Sequence, residues 1–192
     1  MNSRRIVICV LAASLSLIAV GCATTGGASA SLTNSVSAVL LSPKQVRSDY
    51  GYSFSQNPFI APGPSIMPTY YDFLVVKLTI SAASDSEFAL LKAKAEDMDG
   101  TTRATYANRE EFTGFIDKLS LPDSPSATMR RDKVGWYYLP AEKFQVKRGH
   151  HSYAVVLIGK HPIGNNVTID LMVSLAGNIQ SLQIPVPQAK TE

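Results

Sequence analysis

Apolar and polar residues alternate with a period of two along much of this chain, and that rhythm predicts strands. From Val167 to Leu175, the residues Val167, Ile169, Leu171, Val173 and Leu175 alternate with Thr168, Asp170, Met172 and Ser174. After Ala176-Gly177-Asn178 the same pattern runs from Ile179 to Val186. Asp72 to Ser81 (DFLVVKLTIS) mixes alternation with a continuous apolar run, as a half-buried strand does. Phe88 to Met98 alternates up to Asp99-Gly100, a hairpin signal because both residues tolerate positive φ, and Thr101 to Ala107 is the return strand. Ser35 to Leu41, Gly135 to Leu139 and Ser152 to Gly159 read as further strands. The period changes once. Phe112, Phe115, Ile116 and Leu119 recur at helical spacing behind Asn108 and Glu111, a capping-box pair, so Asn108 to Leu119 reads as a short helix.

Short strands with regular turns and no βαβ rhythm argue for a mainly β fold, an antiparallel sandwich of about seven strands with one short helix. In outline this strand pattern resembles the immunoglobulin-like domains that follow many bacterial lipoprotein signals. The resemblance is one of pattern: the Cys…Trp…Cys hallmark is absent, and Trp136 is the only tryptophan.

Two segments stand outside the rhythm. Residues 23–35 are almost entirely Ala, Thr, Gly, Ser and Asn, a composition that cannot pack. They read as a tether that would hold a domain of residues 36–192 about 20 Å from its attachment point. Tyr50 to Tyr71 carries Pro58, Pro62, Pro64 and Pro68 among Tyr50, Tyr52, Phe54, Phe59, Tyr70 and Tyr71. Prolines forbid a regular central strand there, and the aromatics offer large contact area at low entropic cost. Those six aromatics are the candidate partner-binding residues.

Ahead of the tether, Arg4 and Arg5 precede an apolar run from Ile6 to Val20, then Gly21 and Cys22. This is the order of a secretory signal, and the run is too short for the about 20 residues a spanning helix needs. Val20-Gly21-Cys22 resembles the lipobox of bacterial lipoproteins, with Ala19 where leucine is usual. The resemblance implies cleavage after residue 21, acylation of Cys22, and a lipid-anchored protein of the cell envelope. With Ala23 rather than aspartate next, it implies the outer membrane where there are two. Two or three acyl chains, at about 0.8 kcal/mol per buried methylene, give firm attachment to a membrane through Cys22.

Processing changes the chemistry available. Of 18 Lys and Arg, loss of Arg4 and Arg5 leaves 16 against 15 acidic residues, so the formal charge falls to about +1. That excludes the clustered basic excess of a nucleic-acid binder. Cys9 leaves with the signal and Cys22 carries lipid, so no thiol remains for a disulfide, a zinc site or a nucleophile. There is no Gly-x-Ser-x-Gly elbow and no Ser-x-x-Lys with its companion motifs. His150 and His151 would point to opposite faces of a strand. The strand between His151 and His161 would part those two by about 30 Å, too far to share a metal. An EF-hand centred on Gly100 would need carboxylates where Ala95 and Tyr106 stand. The sequence therefore points to a non-enzymatic envelope lipoprotein with no cofactor or metal, binding a protein or envelope component through the Tyr50–Tyr71 loop. The alternative is a small-ligand or carbohydrate-binding module in which the same aromatics stack on the ligand, with Gln56 and Asn57 alongside.

Overall fold

The computed structural model describes residues 32–61, 71–119, 124–164 and 166–187. In chain order the elements are β1 (Ser35–Leu40), α1 (Pro43–Tyr50), β2 (Tyr71–Ala82), β3 (Ser86–Glu96), β4 (Thr102–Tyr106), α2 (Arg109–Lys118), α3 (Pro125–Tyr137), β5 (Lys143–Val146), β6 (Gly149–Lys160), β7 (Thr168–Leu175) and β8 (Asn178–Pro185).

All eight strands belong to one antiparallel sheet, ordered β1-β2-β6-β4-β3-β7-β8, with β5 paired to β3 beside β4. The edge strands β1 and β8 lie alongside each other without ladder hydrogen bonds, so the sheet curls nearly into a barrel. The mainly β, antiparallel expectation holds. In place of two facing sheets, however, the strands form one curled sheet. Alternation reports one buried face per strand, and a curled sheet and a sandwich both supply that face.

The strand ends follow the sequence rhythm closely, and the departures from it have local causes. In β2, Leu74, Val75 and Val76 are buried in succession, and in β6 so are Ala154 to Leu157. Helices and the 50s segment cover the outer face there, so both sides of the strand are apolar. Beyond that cover β2 returns to alternation. At the β7–β8 turn Ala176 and Gly177 both take positive φ (52° and 80°), the backbone a type I′ hairpin demands.

Among the described residues there are three helices where one was expected. The expected helix is α2, with both capping-box bonds formed between Asn108 and Glu111 at 2.9 Å. Helix α1 has the same device: the Gln45 side chain accepts from the Ser42 amide at 2.8 Å, Ser42 Oγ accepts from the Gln45 amide, and Pro43 occupies the first turn. Helix α3 starts on Ser124 and Pro125 and runs through Gly135, Trp136 and Tyr137, which corrects the strand expected at Gly135 to Leu139. The β-forming aromatics there are outweighed by the N-terminal cap and by Ala127, Arg130 and Val134, which the helical period buries.

Strand β4 and strand β5 occupy one side of β3 at its two ends, and the chain leaves the sheet between them to form α2 and α3. The departure opens a gap in the ladder along β6, and Tyr138 fills it. Its buried hydroxyl donates to the Ala107 carbonyl and accepts from the Val156 amide. Those are backbone groups that a continuing strand would have paired.

Candidate functional site

The structure divides the six aromatics expected to serve a partner. Tyr50 and Phe59 are 6% and 1% exposed. They pack edge-on at 4.6 Å, and Phe59 stacks at 5.8 Å on Phe112 of α2. Burial with the nearby Asp49 and Tyr137 pushes the Tyr50 phenol up to about 12. Tyr71, at the start of β2, meets Phe115 edge-on at 5.5 Å. Buried Tyr50 and Phe59 hold the segment to the core, which corrects the expectation that they face a partner, while Tyr71 is half-buried. Tyr70 and the acylation candidate Cys22 lie outside the described residues.

Asn57 is the reason the segment folds back. It is fully buried, its amide donates to the carbonyls of Val46 (2.9 Å) and Gly51 (2.8 Å), and its Oδ1 accepts from the Phe59 amide (2.8 Å). Both its N–H groups are committed to backbone carbonyls and the side chain is fully buried, out of reach of a sugar hydroxyl.

Two of the six remain near the surface. Tyr52 is 75% exposed, and Phe54 lies under Arg130, whose guanidinium carbon sits 4.1 Å from the ring centroid. Burial lowers the Arg130 pKa to about 10, partly countered by Asp117. Two further exposed aromatics come from the segment expected to be a strand. Trp136 and Tyr137, at the end of α3, are 69% and 38% exposed. Tyr137 packs on Tyr50 at 5.2 Å, and Trp136 meets Tyr137 at 6.5 Å with the rings 81° apart. Lys133 of the same helix donates to the Tyr50 carbonyl. The α1–α3 corner thus presents Tyr52, Trp136 and Tyr137, the three aromatics among the exposed large hydrophobics described. The Ser124-Pro125 start signal would have revealed the helix. The exposure of Trp136 has no counterpart in the sequence, because Gly-Trp-Tyr-Tyr-Leu fits a buried strand equally well.

The second feature is a cleft of about 630 Å³ at the end of the sheet where β1 and β8 finish. Leu41, Val46, Phe59, Ile60 and Val186 contribute to an apolar lining, with Arg47, Asp72 and His161 as its charged or titratable members. Asp72 accepts from His161 Nδ1 at 3.0 Å and from the Ile163 amide at 3.2 Å, which fixes the loop after β6.

The remaining polar candidates serve the scaffold. His150 pairs with Ser81 at 2.7 Å, and His151 Nε2 lies 2.8 Å from the Lys147 carbonyl. Strand β6 runs unbroken from Gly149 to Lys160, so His151 and His161 sit at its opposite ends. Asp97 accepts from the amides of Asp99 and Thr101 and from Arg103, closing the β3–β4 turn. Among the described residues no group of three His, Cys, Asp or Glu is placed to hold a metal, and no helix is long and apolar enough to cross a membrane.

No protein-family model matches the chain, and no curated protein sequence matches it. Among solved structures it is similar to the crystal structure of a FixG-related protein from Vibrio parahaemolyticus, at 9% identity and a TM-score of 0.34, over 80% of this chain and 92% of that one.

Proposed function

We propose that this is an acylated, non-enzymatic lipoprotein of the cell envelope that binds a protein partner through the aromatic corner of α1 and α3. Cys22 carries the lipid, residues 23–35 form the tether, and the β domain presents the corner to the partner.

The observation that carries the proposal is the exposure of Trp136 and Tyr137 against Tyr50, with exposed Tyr52 following two residues after Tyr50 in the chain. Solvent-facing Trp and Tyr residues are the types most enriched at the energetic centres of protein interfaces. Buried Tyr50 and Phe59 beneath them keep the corner rigid, which lowers the entropic cost of docking. The carbohydrate reading has less support, since the Trp136 and Tyr137 rings are nearly perpendicular and Asn57 is buried.

The test places a photo-crosslinking amino acid at Tyr52 or Trp136 in cells, with Ile179 on β8 as an exposed control position. The expected result is a discrete crosslinked protein from both corner positions, absent from the control and lost in a Tyr137→Ala background. Equal crosslinking from all three positions, or none, overturns the partner surface. The anchor is tested separately: labelled palmitate should enter the wild type and not Cys22→Ser.

A further inference from the structure

We propose that the cleft beside α1 binds a single-chain amphiphile with an anionic head group, the chain lying in the cleft and the head on Arg47. The inference uses none of the exposed residues Tyr52, Trp136 and Tyr137, shares only buried Phe59 with that corner, and stands or falls independently of the partner surface.

Its first support is shape and lining. About 630 Å³ lies within the about 300–1,000 Å³ typical of small-molecule sites. The walls come from separate elements: Leu41 after β1, Val46 of α1, Phe59 and Ile60 of the folded-back segment, Ile163 after β6 and Val186 after β8. An opening at the end of a nearly closed sheet is a recurrent place for an apolar ligand. The lining is mostly aliphatic and aromatic, and its polar side chains, Ser42, Gln45, Arg47, Asp72 and His161, are a minority of it. A flexible alkyl chain fits that surface chemistry.

The second support is charge. Two of the lining residues carry formal charge at neutral pH, Arg47 and Asp72. The Asp72 carboxylate is engaged by His161 and the Ile163 amide. Arg47 makes no ion pair with any described carboxylate, and its helix position leaves the guanidinium exposed at the cleft. A solvated cation beside an apolar cleft complements a carboxylate or phosphate joined to a hydrocarbon chain, and the planar guanidinium can bind either anion in a fork.

The experiment uses the full-length protein in phosphatidylcholine nanodiscs and a diazirine-bearing palmitate, with the crosslinked peptides identified by mass spectrometry. Labelling is expected in the peptides that hold Leu41–Arg47, Ile163 and Val186, and should be displaced by unlabelled palmitate. Hexadecanol, which has the chain but not the charge, should displace it about fivefold less well. Lysophosphatidic acid separates the sources: competition equal to palmitate or better identifies a phosphate head, weaker competition a carboxylate, and each keeps the shared chemistry. Val46→Trp, which fills the cleft, should abolish labelling. Arg47→Glu alters only an exposed side chain, so the fold is preserved, and should weaken labelling about fivefold. Labelling spread evenly over the surface, unchanged in Arg47→Glu, or displaced equally by hexadecanol overturns the proposal.

Discussion

The hydroxyls of two neighbouring tyrosines should respond to deletion with opposite signs. Tyr138 and Tyr106 stack at 6.5 Å, and burial raises both phenol pKa values. The Tyr138 hydroxyl bridges the Ala107 carbonyl and the Val156 amide at the gap where the chain leaves the sheet. The Tyr106 hydroxyl is buried with no hydrogen-bond partner among the described residues. In Tyr138→Phe a carbonyl and an amide lose their partner in a site that water cannot enter, at a cost of about 1–3 kcal/mol. The Val156 bond is long, at 3.4 Å, so the Ala107 bond carries most of that and about 2 kcal/mol is expected. In Tyr106→Phe the protein sheds a buried polar group that gains nothing, and stability should rise by about 1 kcal/mol. Urea unfolding followed by far-ultraviolet circular dichroism measures both. With a slope of about 2 kcal/mol per molar, the midpoint should fall by about 1 M for Tyr138→Phe and rise by about 0.5 M for Tyr106→Phe. Two shifts of the same sign and size would refute the claim that Tyr138 completes the broken ladder.

Other consequences follow from single side chains. Asn57→Ala should cost about 3 kcal/mol in the same assay, because it strips partners from the Val46 and Gly51 carbonyls and the Phe59 amide together. Gly159→Ala should cost about 1–3 kcal/mol and disturb the cleft, since a Cβ there would land on the Arg103 carbonyl and press Ile163; a wild-type melting curve would count against that packing. Trp136→Ala, at an exposed helix end, should leave the melting temperature within about 1 °C of wild type while removing crosslinks from the corner. Stability should fall between pH 10 and about 12. The unfolded chain ionises Tyr50 from about 10 upward, whereas the folded chain keeps it neutral to about 12; Tyr106 and Tyr138 act in the same direction and outweigh Arg130, whose lowered pKa of about 10 acts in the opposite one. A denaturation midpoint flat across that window contradicts their burial.

Much of the β framework was legible because burial on one face writes itself into alternate residues. Strands β2, β3, β4, β6, β7 and β8 begin and end within a few residues of where the alternation does. The short β5 has only four residues, too few to show a period. Whether the strands form one sheet or two was not legible, since it depends on β4 bonding to both β3 and β6, a pairing between residues about 50 positions apart. Helix α1 had a readable signal in Ser42-Pro43-Lys44-Gln45, a cap with proline in the first turn, but its polar exposed face lacks the apolar stripe that periodicity detects. Of the candidate site, the Pro/aromatic segment could be seen and its division could not. Tyr52 and Phe59 differ by what Asn57 does to the backbone between them, and composition says nothing of a buried amide.

The longest pairing of the sheet, between β2 and β6, joins Tyr71 to Lys160 and continues to Ala82 with Gly149. Its two strands meet only after 67 to 89 residues of chain have been brought round. The β3–β4 and β7–β8 hairpins can form by themselves, but the β2–β6, β4–β6 and β3–β7 pairings that join the rest of the sheet need distant parts of the chain. Folding should therefore be slow for a chain of this size, in the range of milliseconds to seconds. During that interval Phe73-Leu74-Val75-Val76 and Ala154-Val155-Val156-Leu157-Ile158 are uncovered, uncharged and rich in β-branched residues, the composition of aggregation-prone segments. If the chain is exported to the envelope as proposed, its yield in the cell should track the supply of chaperones there more closely than thermodynamic stability.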